Sequence, residues 1–321
     1  MRIASRSAHG RENRAYVLSM KEIRDIPRRI GLQKALTISG LALLAAVIAV
    51  GVSTPGRSEA AGNANGGSAF ADCQRHGGNQ GSLWHPGPTT QPWQWQLQGK
   101  IDTSIPACVY DVDAFETSKQ TVAKLHREHV KVICYVDVGS WEPYRPDKAE
   151  FPRSVIGRRY AGFEEERWLD VAHFRRFERP LKQRFNMCAR KGFDAVEPDN
   201  IAGWEKENHT GFKITRADQL RFNRWIARQV HARGMSVALK NDGRQAQELS
   251  PDFDFAIVEQ CFQYHECGYY KNTFIEEGKA VFEAEYEQKP SEYCKTAKAI
   301  DFSAIRKSYD LFAKPWSPCV R

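Results

Sequence analysis

Between residues 93 and 286 the chain repeats one unit: a short apolar run, a polar end, then a stretch with helical spacing. The apolar runs lie at 93–97, 107–110, 130–138, 168–171, 193–197, 235–239, 253–258 and 281–286. Helical spacing follows at 116–129, 174–191, 215–233, 244–249 and 268–277, and the tail at 301–313 reads as a closing helix. Strands alternating with helices predict a parallel sheet, since parallel neighbours need a crossover between them. Eight repeats predict an α/β chain closed into a (β/α)8 TIM barrel; an open doubly wound sheet is the alternative. No Gly-rich phosphate loop follows any of the strands, which argues against a nucleotide site.

A barrel of this kind gathers its chemistry at the C-terminal ends of its strands. Those ends carry Trp95, Asp111, Asp113, Asp137, Asp170, Glu197, Asp199, Asn200, Lys240, Asn241, Glu259 and Glu285. Glu197 and Asp199 flank Pro198 and, two apart on an extended chain, point the same way. Pro198 lacks a backbone donor and marks where the ladder should stop. Acids crowded into one mouth repel one another, so some must hold their protons. That setting suits glycoside hydrolysis, in which one carboxyl protonates the leaving oxygen and another attacks or activates water. Trp95, Tyr135, Trp141, Trp204 and Tyr286 offer rings for sugar faces, though each alone also reads as packing. Each acid taken singly also reads as a solvated loop charge, and Asp111, Asp113 and Asp170 as helix caps. Glu197, Asp199 and Glu259 resist that reading because each directly follows a strongly apolar run. Lys240 can pair with one of them and hold it ionised. A calcium site at Asp199 and Asn200 lacks the spacing of a known loop.

The net charge of +8 does not indicate a nucleic-acid partner. Residues 1–60 hold ten Lys/Arg against four Asp/Glu, leaving 37 basic and 35 acidic side chains in the other 261 residues. That leader has a basic stretch, an apolar run from Leu36 to Val52 and the small-residue pattern Ser58-Glu59-Ala60-Ala61. It reads as a signal peptide over 1–60, with an uncleaved membrane anchor at 36–52 as the alternative. Residues 61–91, rich in Gly, Asn, Ser, Pro and Thr, read as a flexible linker, and 92–321 as the catalytic domain. All eight cysteines follow the leader, which suits disulfides in an exported protein. Cys261 and Cys267 are the expected pair, across a short loop; Cys134 and Cys188, inside apolar patterns, read as buried thiols. There is no Cys-x-x-Cys, and a zinc site finds no second half.

Taken together, Trp93-Gln94-Trp95-Gln96-Leu97, Val132-Ile133-Cys134-Tyr135, Gly139-Ser140-Trp141-Glu142, Glu166-Arg167-Trp168-Leu169-Asp170, Glu197-Pro198-Asp199-Asn200, Leu239-Lys240-Asn241, Glu259-Gln260-Cys261 and Gly278-Lys279-Ala280-Val281-Phe282 occur in an order that resembles glycoside hydrolase family 114, the endo-α-1,4-polygalactosaminidases. The resemblance implies a (β/α)8 barrel cleaving α-1,4-linked galactosamine polymers at internal positions, with no cofactor and no catalytic metal. It implies Asp199 and Glu259 as the carboxylate pair, here assigned as nucleophile and general acid/base. Trp95, Asp111, Tyr135, Asp137, Glu197, Asn200, Lys240, Asn241, Glu285 and Tyr286 are then expected around the substrate. An acid-lined cleft suits a polymer whose amines are charged at neutral pH. The expected partner is a galactosamine-containing polysaccharide, with no nucleic acid and with membrane contact only through an uncleaved leader. A non-catalytic carbohydrate-binding barrel and a glycosidase for another glycan are the competing readings.

Overall fold

The computed structural model describes Cys73, residues 83–88 and residues 92–320. The expected leader at 1–60 therefore lies outside the described residues. Eight strands run parallel around a barrel: β1 (Trp93–Gln96), β2 (Val109–Asp113), β3 (Lys131–Asp137), β7 (Ala195–Asp199), β8 (Ser236–Lys240), β9 (Phe255–Glu259), β10 (Val281–Glu285) and β11 (Ser303–Arg306). A short β12 (Ser317–Pro318) pairs antiparallel with β11. Side chains and loop backbone span the seam between β11 and β1: Lys307 Nζ donates to Gln94 Oε1 at 2.8 Å, and Trp316 Nε1 to the Trp93 carbonyl at 2.7 Å.

Alternation along each strand sorts the residues into two layers. One face of the strands packs Val112, Val132, Cys134, Val196, Leu239, Val258 and Val281 against the helices. The other fills the barrel with Trp93, Trp95, Val109, Ile133, Phe255, Ile257 and Phe282, beside the small Ala195, Ala238 and Ala284. Large rings opposite alanines fill a narrow tube without voids. The helix Arg216–His231 begins at the expected place, with Thr215 and Asp218 capping each other reciprocally. The helix Glu178–Lys191 stops at Gly192, whose φ of 87° only glycine adopts freely.

Four expectations change. The apolar run at 168–171 is not a barrel strand. Its first residues end β6 (Phe163–Leu169), which with β4 (Ser140–Trp141) and β5 (Ile156–Tyr160) forms a separate antiparallel sheet in the order β4-β6-β5. The closing helix expected at 301–313 is instead β11 and a loop, because Ala304 packs outward while Ile305 points into the barrel, a period of two. The helix before it spans Pro290–Ala299. The linker does not extend unbroken to residue 91. Trp84 is buried against Phe255 and Phe282, its carbonyl accepts from Ser236 Oγ, and the Pro86 carbonyl accepts from Ala280 N at 2.8 Å. This segment plugs the end of the barrel where the strands begin. Finally, Cys134 and Cys188 are not thiols: β3 and the helix 178–191 bring them together as a disulfide.

The other bridges join Cys73 to Cys108, Cys261 to Cys267 as expected, and Cys294 to Cys319. Four disulfides indicate folding in an oxidising compartment. Among the described residues, no helix is long and apolar enough to cross a membrane.

Candidate active site

Lys240, the last residue of β8, points into the barrel and is 3% exposed. Its Nζ meets three carboxylates from two neighbouring strands: Asp199 Oδ1 at 2.9 Å, Glu197 Oε1 at 3.1 Å and Glu259 Oε2 at 3.1 Å. It also sits 4.8 Å from the centre of the Trp95 indole, which forms its floor. Despite its burial, these anions hold the Lys240 ammonium well above the usual lysine range. Glu197 and Asp199 point the same way, as their spacing requires. Pro198 ends the pairing of β7 with β8, which reaches only Val196, but not that with β3, which continues to Asp199.

The three acids differ in depth. Glu197 has no exposed surface, whereas the Asp199 and Glu259 side chains are 19% and 29% exposed. Each of the outer two is held by its own tyrosine. Tyr135 OH donates to Asp199 Oδ2 at 3.0 Å, and Tyr286 OH to Glu259 Oε1 at 2.6 Å. The backbone N–H of Asn200 donates to Asp199 Oδ1 at 2.8 Å. Asn241 donates to Glu259 Oε2 at 2.9 Å and accepts from the Glu259 backbone N–H at 3.0 Å. Two carboxylates bound to one nitrogen within 3.1 Å have their nearest oxygens at most about 6 Å apart.

Beneath them Asp111 and Glu197 are both fully buried, and no donor reaches either oxygen of Asp111. Burial raises the Asp111 carboxyl well above its ordinary range, and the adjoining Glu197 carboxyl raises it further. Glu197 is pushed up to about 7 by burial, with Lys240 opposing. Asp111 is therefore the acid of this pair that favours its neutral form, so the lower layer carries less charge than its residue count suggests.

The strands turn away sharply just past these side chains. Asn200, Asn241, Asp242 and Gln260 have φ of 62°, 50°, 54° and 54°. Left-handed backbone at four non-glycine positions is uncommon and clusters at functional sites. Gly139 makes the first turn possible: a Cβ there would stand 1.7 Å from the Asn200 carbonyl oxygen. Gly139→Ala should therefore shift the loop that carries Asp199. The expected loss is about 3 kcal/mol or more in urea unfolding, at the upper end for overpacking, with a parallel fall in kcat/KM. An alanine variant with unchanged midpoint and rate would refute this contact.

Several expected substrate residues hold the frame instead. Asp137 is 1% exposed and accepts from Gly139 N, Ser140 N, Ser140 Oγ and Asn200 Nδ2. Asn200 thus faces Asp137 and not the mouth. Glu285 is not at the mouth either. It lies on the outer side of β10 with no exposed surface, and its Oε1 accepts from Phe262 N at 2.9 Å and Gln263 N at 3.1 Å. Asp113 pairs with Arg145. The cleft acids available to a ligand are therefore Asp199 and Glu259, not the wider set expected. Trp95, Asp111, Tyr135, Glu197, Lys240, Asn241 and Tyr286 surround that pair.

The antiparallel sheet contributes residues that sequence reading missed. Tyr160 packs at a tilt of 53° against Trp168 with centroids 4.7 Å apart, and the charges of Asp199 and Glu259 raise its hydroxyl further beyond the effect of burial. The sheet thus roofs the mouth. The one local signal was Gly162 between Tyr160 and Phe163, a turn residue between two aromatic positions, since neither flank alternates. On the same face Glu166 accepts from Ser140 Oγ at 3.0 Å and Tyr144 OH at 2.7 Å. Burial, aided by Glu142, pushes Glu166 from its ordinary 4.5 up to about 7. An acid with a raised folded pKa stabilises fully below its unfolded value and loses that contribution as pH rises through the folded one. Unfolding free energy should therefore fall from pH 4.5 to 7, and Glu166→Gln should remove on the order of 3 kcal/mol of that fall. Denaturant titrations at both pH values measure it; equal slopes in both proteins would contradict it.

The model of the family described as glycoside-hydrolase family GH114 matches residues 75–320. The crystal structure of Aspergillus fumigatus Ega3 in complex with galactosamine is 33% identical, with a TM-score of 0.69, covering 76% of this chain and 100% of that one. The glycoside hydrolase domain of PelA from Pseudomonas aeruginosa is 12% identical, with a TM-score of 0.55, covering 68% of this chain and 94% of that one; it shares the fold. A comparison with curated proteins gave no match.

Proposed function

The chain belongs to glycoside hydrolase family GH114, and we propose that it cuts α-1,4-linked galactosamine polymers at internal positions, with Asp199 and Glu259 as the reacting carboxyls. The observation that carries the site assignment is the shared ammonium: Asp199 and Glu259 meet Lys240 Nζ at 2.9 and 3.1 Å and are the partly exposed acids of its three. Their nearest oxygens, within about 6 Å, suit the separation of about 5–5.5 Å in retaining enzymes better than the about 6.5–9.5 Å of inverting ones. Galactosamine bound to Ega3, 33% identical over the whole of that chain, supports the sugar. The two accessible carboxylates are electrostatically suited to a cationic amino sugar. The four disulfides and the signal-like leader support export.

In the first step Asp199 attacks the anomeric carbon while Glu259 gives its proton to the departing O4. In the second, Glu259 takes a proton from water, whose oxygen attacks the same carbon and releases Asp199. Lys240, Tyr135 and the Asn200 N–H hold the Asp199 carboxylate in position for attack. Tyr286 and Asn241 fix the orientation of Glu259.

The test incubates the enzyme with partly deacetylated α-1,4-galactosamine polymer, chitosan and a neutral glucan. Early product configuration is read by proton NMR. Short oligomers from the first polymer, initially α at the new reducing end, are expected. β product would overturn the retaining mechanism. No cleavage of any polymer would leave a carbohydrate-binding barrel.

A further inference from the structure

The roof sheet has a second face, turned away from the mouth. In the β4-β6-β5 order, Trp141 lies opposite Arg167, and Arg167 opposite Arg159. Residues directly opposite on antiparallel strands share a face, so an indole and two guanidiniums form one row across the sheet. Like charges in register repel, and the usual remedy is an acidic neighbour. Here none is engaged: among the described residues no carboxylate pairs with Arg153, Arg159 or Arg167. By contrast, Arg145 pairs with Asp113 and Glu142, and Arg184 with Glu142 and Asp147. The row is also not flat. With Arg153, Tyr144 and Glu165 it lines a groove of about 570 Å³. Tyr144 is 57% exposed, while its hydroxyl binds Glu166, the residue bonded to Ser140 beneath the roof. One ring therefore stands between the groove and the inner face of the roof.

We infer that this outer groove binds an anionic saccharide chain, with Arg153, Arg159 and Arg167 meeting its carboxylate or sulfate groups and Trp141 packing on a sugar face. Guanidinium forks suit both oxyanions, and an indole offers apolar surface to a pyranose. Two arginines on a short sheet and a third, Arg153, beside it are too few for a nucleic-acid track, and the chain beyond residue 60 is close to neutral. The inference concerns a surface outside the catalytic mouth and does not depend on the hydrolytic reading.

Calorimetric titration of the full chain at low salt provides the test, with hexamers of galacturonate, a sulfated galactan, chitosan and a neutral glucan, and a single-stranded hexanucleotide. The galacturonate or sulfated hexamer should bind and quench tryptophan fluorescence, and their relative affinities identify the oxyanion preferred. Arg159→Ala with Arg167→Ala should weaken binding about tenfold or more, the loss of one or two charge-assisted contacts. The same pair should melt no lower than the parent without ligand, since it relieves repulsion. Glu165→Gln, which leaves the arginines intact, should tighten binding. Unchanged affinity in the double variant, a lower melting temperature of that variant, no effect of Glu165→Gln, or tighter binding of chitosan or the hexanucleotide would each overturn the inference.

Discussion

Replacing Asp199 or Glu259 by alanine should abolish polymer cleavage, and azide should restore bond breaking in both with opposite stereochemistry. An Asp199→Ala enzyme has lost the group that attacks carbon, so kcat should fall on the order of 10⁴-fold. Azide entering that space attacks an activated α-galactosaminide once and gives the β-azide. A Glu259→Ala enzyme retains its nucleophile but cannot protonate a poor leaving group. Its loss on polymer should be about 10²–10⁴-fold, and smaller on substrates whose leaving group needs no proton. Azide then intercepts the glycosyl-enzyme after one inversion and adds a second, giving the α-azide. The two products separate nucleophile from acid, which loss of rate alone cannot do, because the donors around the two carboxylates are so similar. Lys240 lies 2.9 Å from one and 3.1 Å from the other, and each accepts from a tyrosine hydroxyl. What differs is exposure, 29% for Glu259 against 19% for Asp199. Exchange of the two anomers between the variants would reverse the roles. Azide products from neither, with polymer cleavage intact, would remove both residues from the chemistry.

The barrel and the charged centre were legible in the sequence because both follow from alternation. Period two placed Glu197 and Asp199 on one face of β7, and apolar runs ending in Lys240 and Glu259 placed those side chains at neighbouring strand ends. The same rule misled where its phase was not checked. Glu285 ends β10, but it shares parity with the outward Val281, while Phe282, Ala284 and Tyr286 point inward. Asp137 and Asn200 end strands correctly yet turn to each other at 2.6 Å, because the Gly139 turn demands an acceptor there. The final strand was missed because Ser303–Arg306 is short and buried on both faces, so it lacks a polar side to betray its period. The plug at Trp84 was invisible for another reason: one tryptophan in a Gly- and Pro-rich stretch has no periodicity, and its burial depends on Phe255 and Phe282, far along the chain. The raised carboxyl of Asp111 likewise required knowing that it is buried beside Glu197 and that no donor faces it.

Three carboxylates share one ammonium, which makes Lys240 the residue on which the charge balance of the mouth turns. With Lys240→Met, Glu197, Asp199 and Glu259 lose an ammonium that stands within 3.1 Å of each. Breaking a buried ion pair costs about 3–5 kcal/mol when its partner stays charged. Here the partners can escape part of that cost by taking protons. Glu197, pushed up to about 7 by burial even beside Lys240, should then remain protonated to higher pH. With the ammonium gone the charge of the site is no longer balanced, and the acid limb of kcat/KM should move upward by at least about one unit, or roughly 1.4 kcal/mol. Together with the lost positioning of both carboxyls, kcat/KM at neutral pH should fall about 10²–10³-fold. Stability carries the same sign. Carboxyls whose folded pKa is raised stabilise below their unfolded value and lose that stabilisation as pH rises. The deficit of Lys240→Met in denaturant unfolding should therefore be small near pH 4.5 and grow toward pH 8. Lys240→Arg should restore the charge and the stability but not the rate, because a planar fork cannot direct three bonds to three carboxylates as a tetrahedral ammonium does. A methionine variant with an unmoved acid limb and a pH-independent deficit would make Lys240 a packing residue, and the acids of the mouth would have to keep their charges apart by some other means.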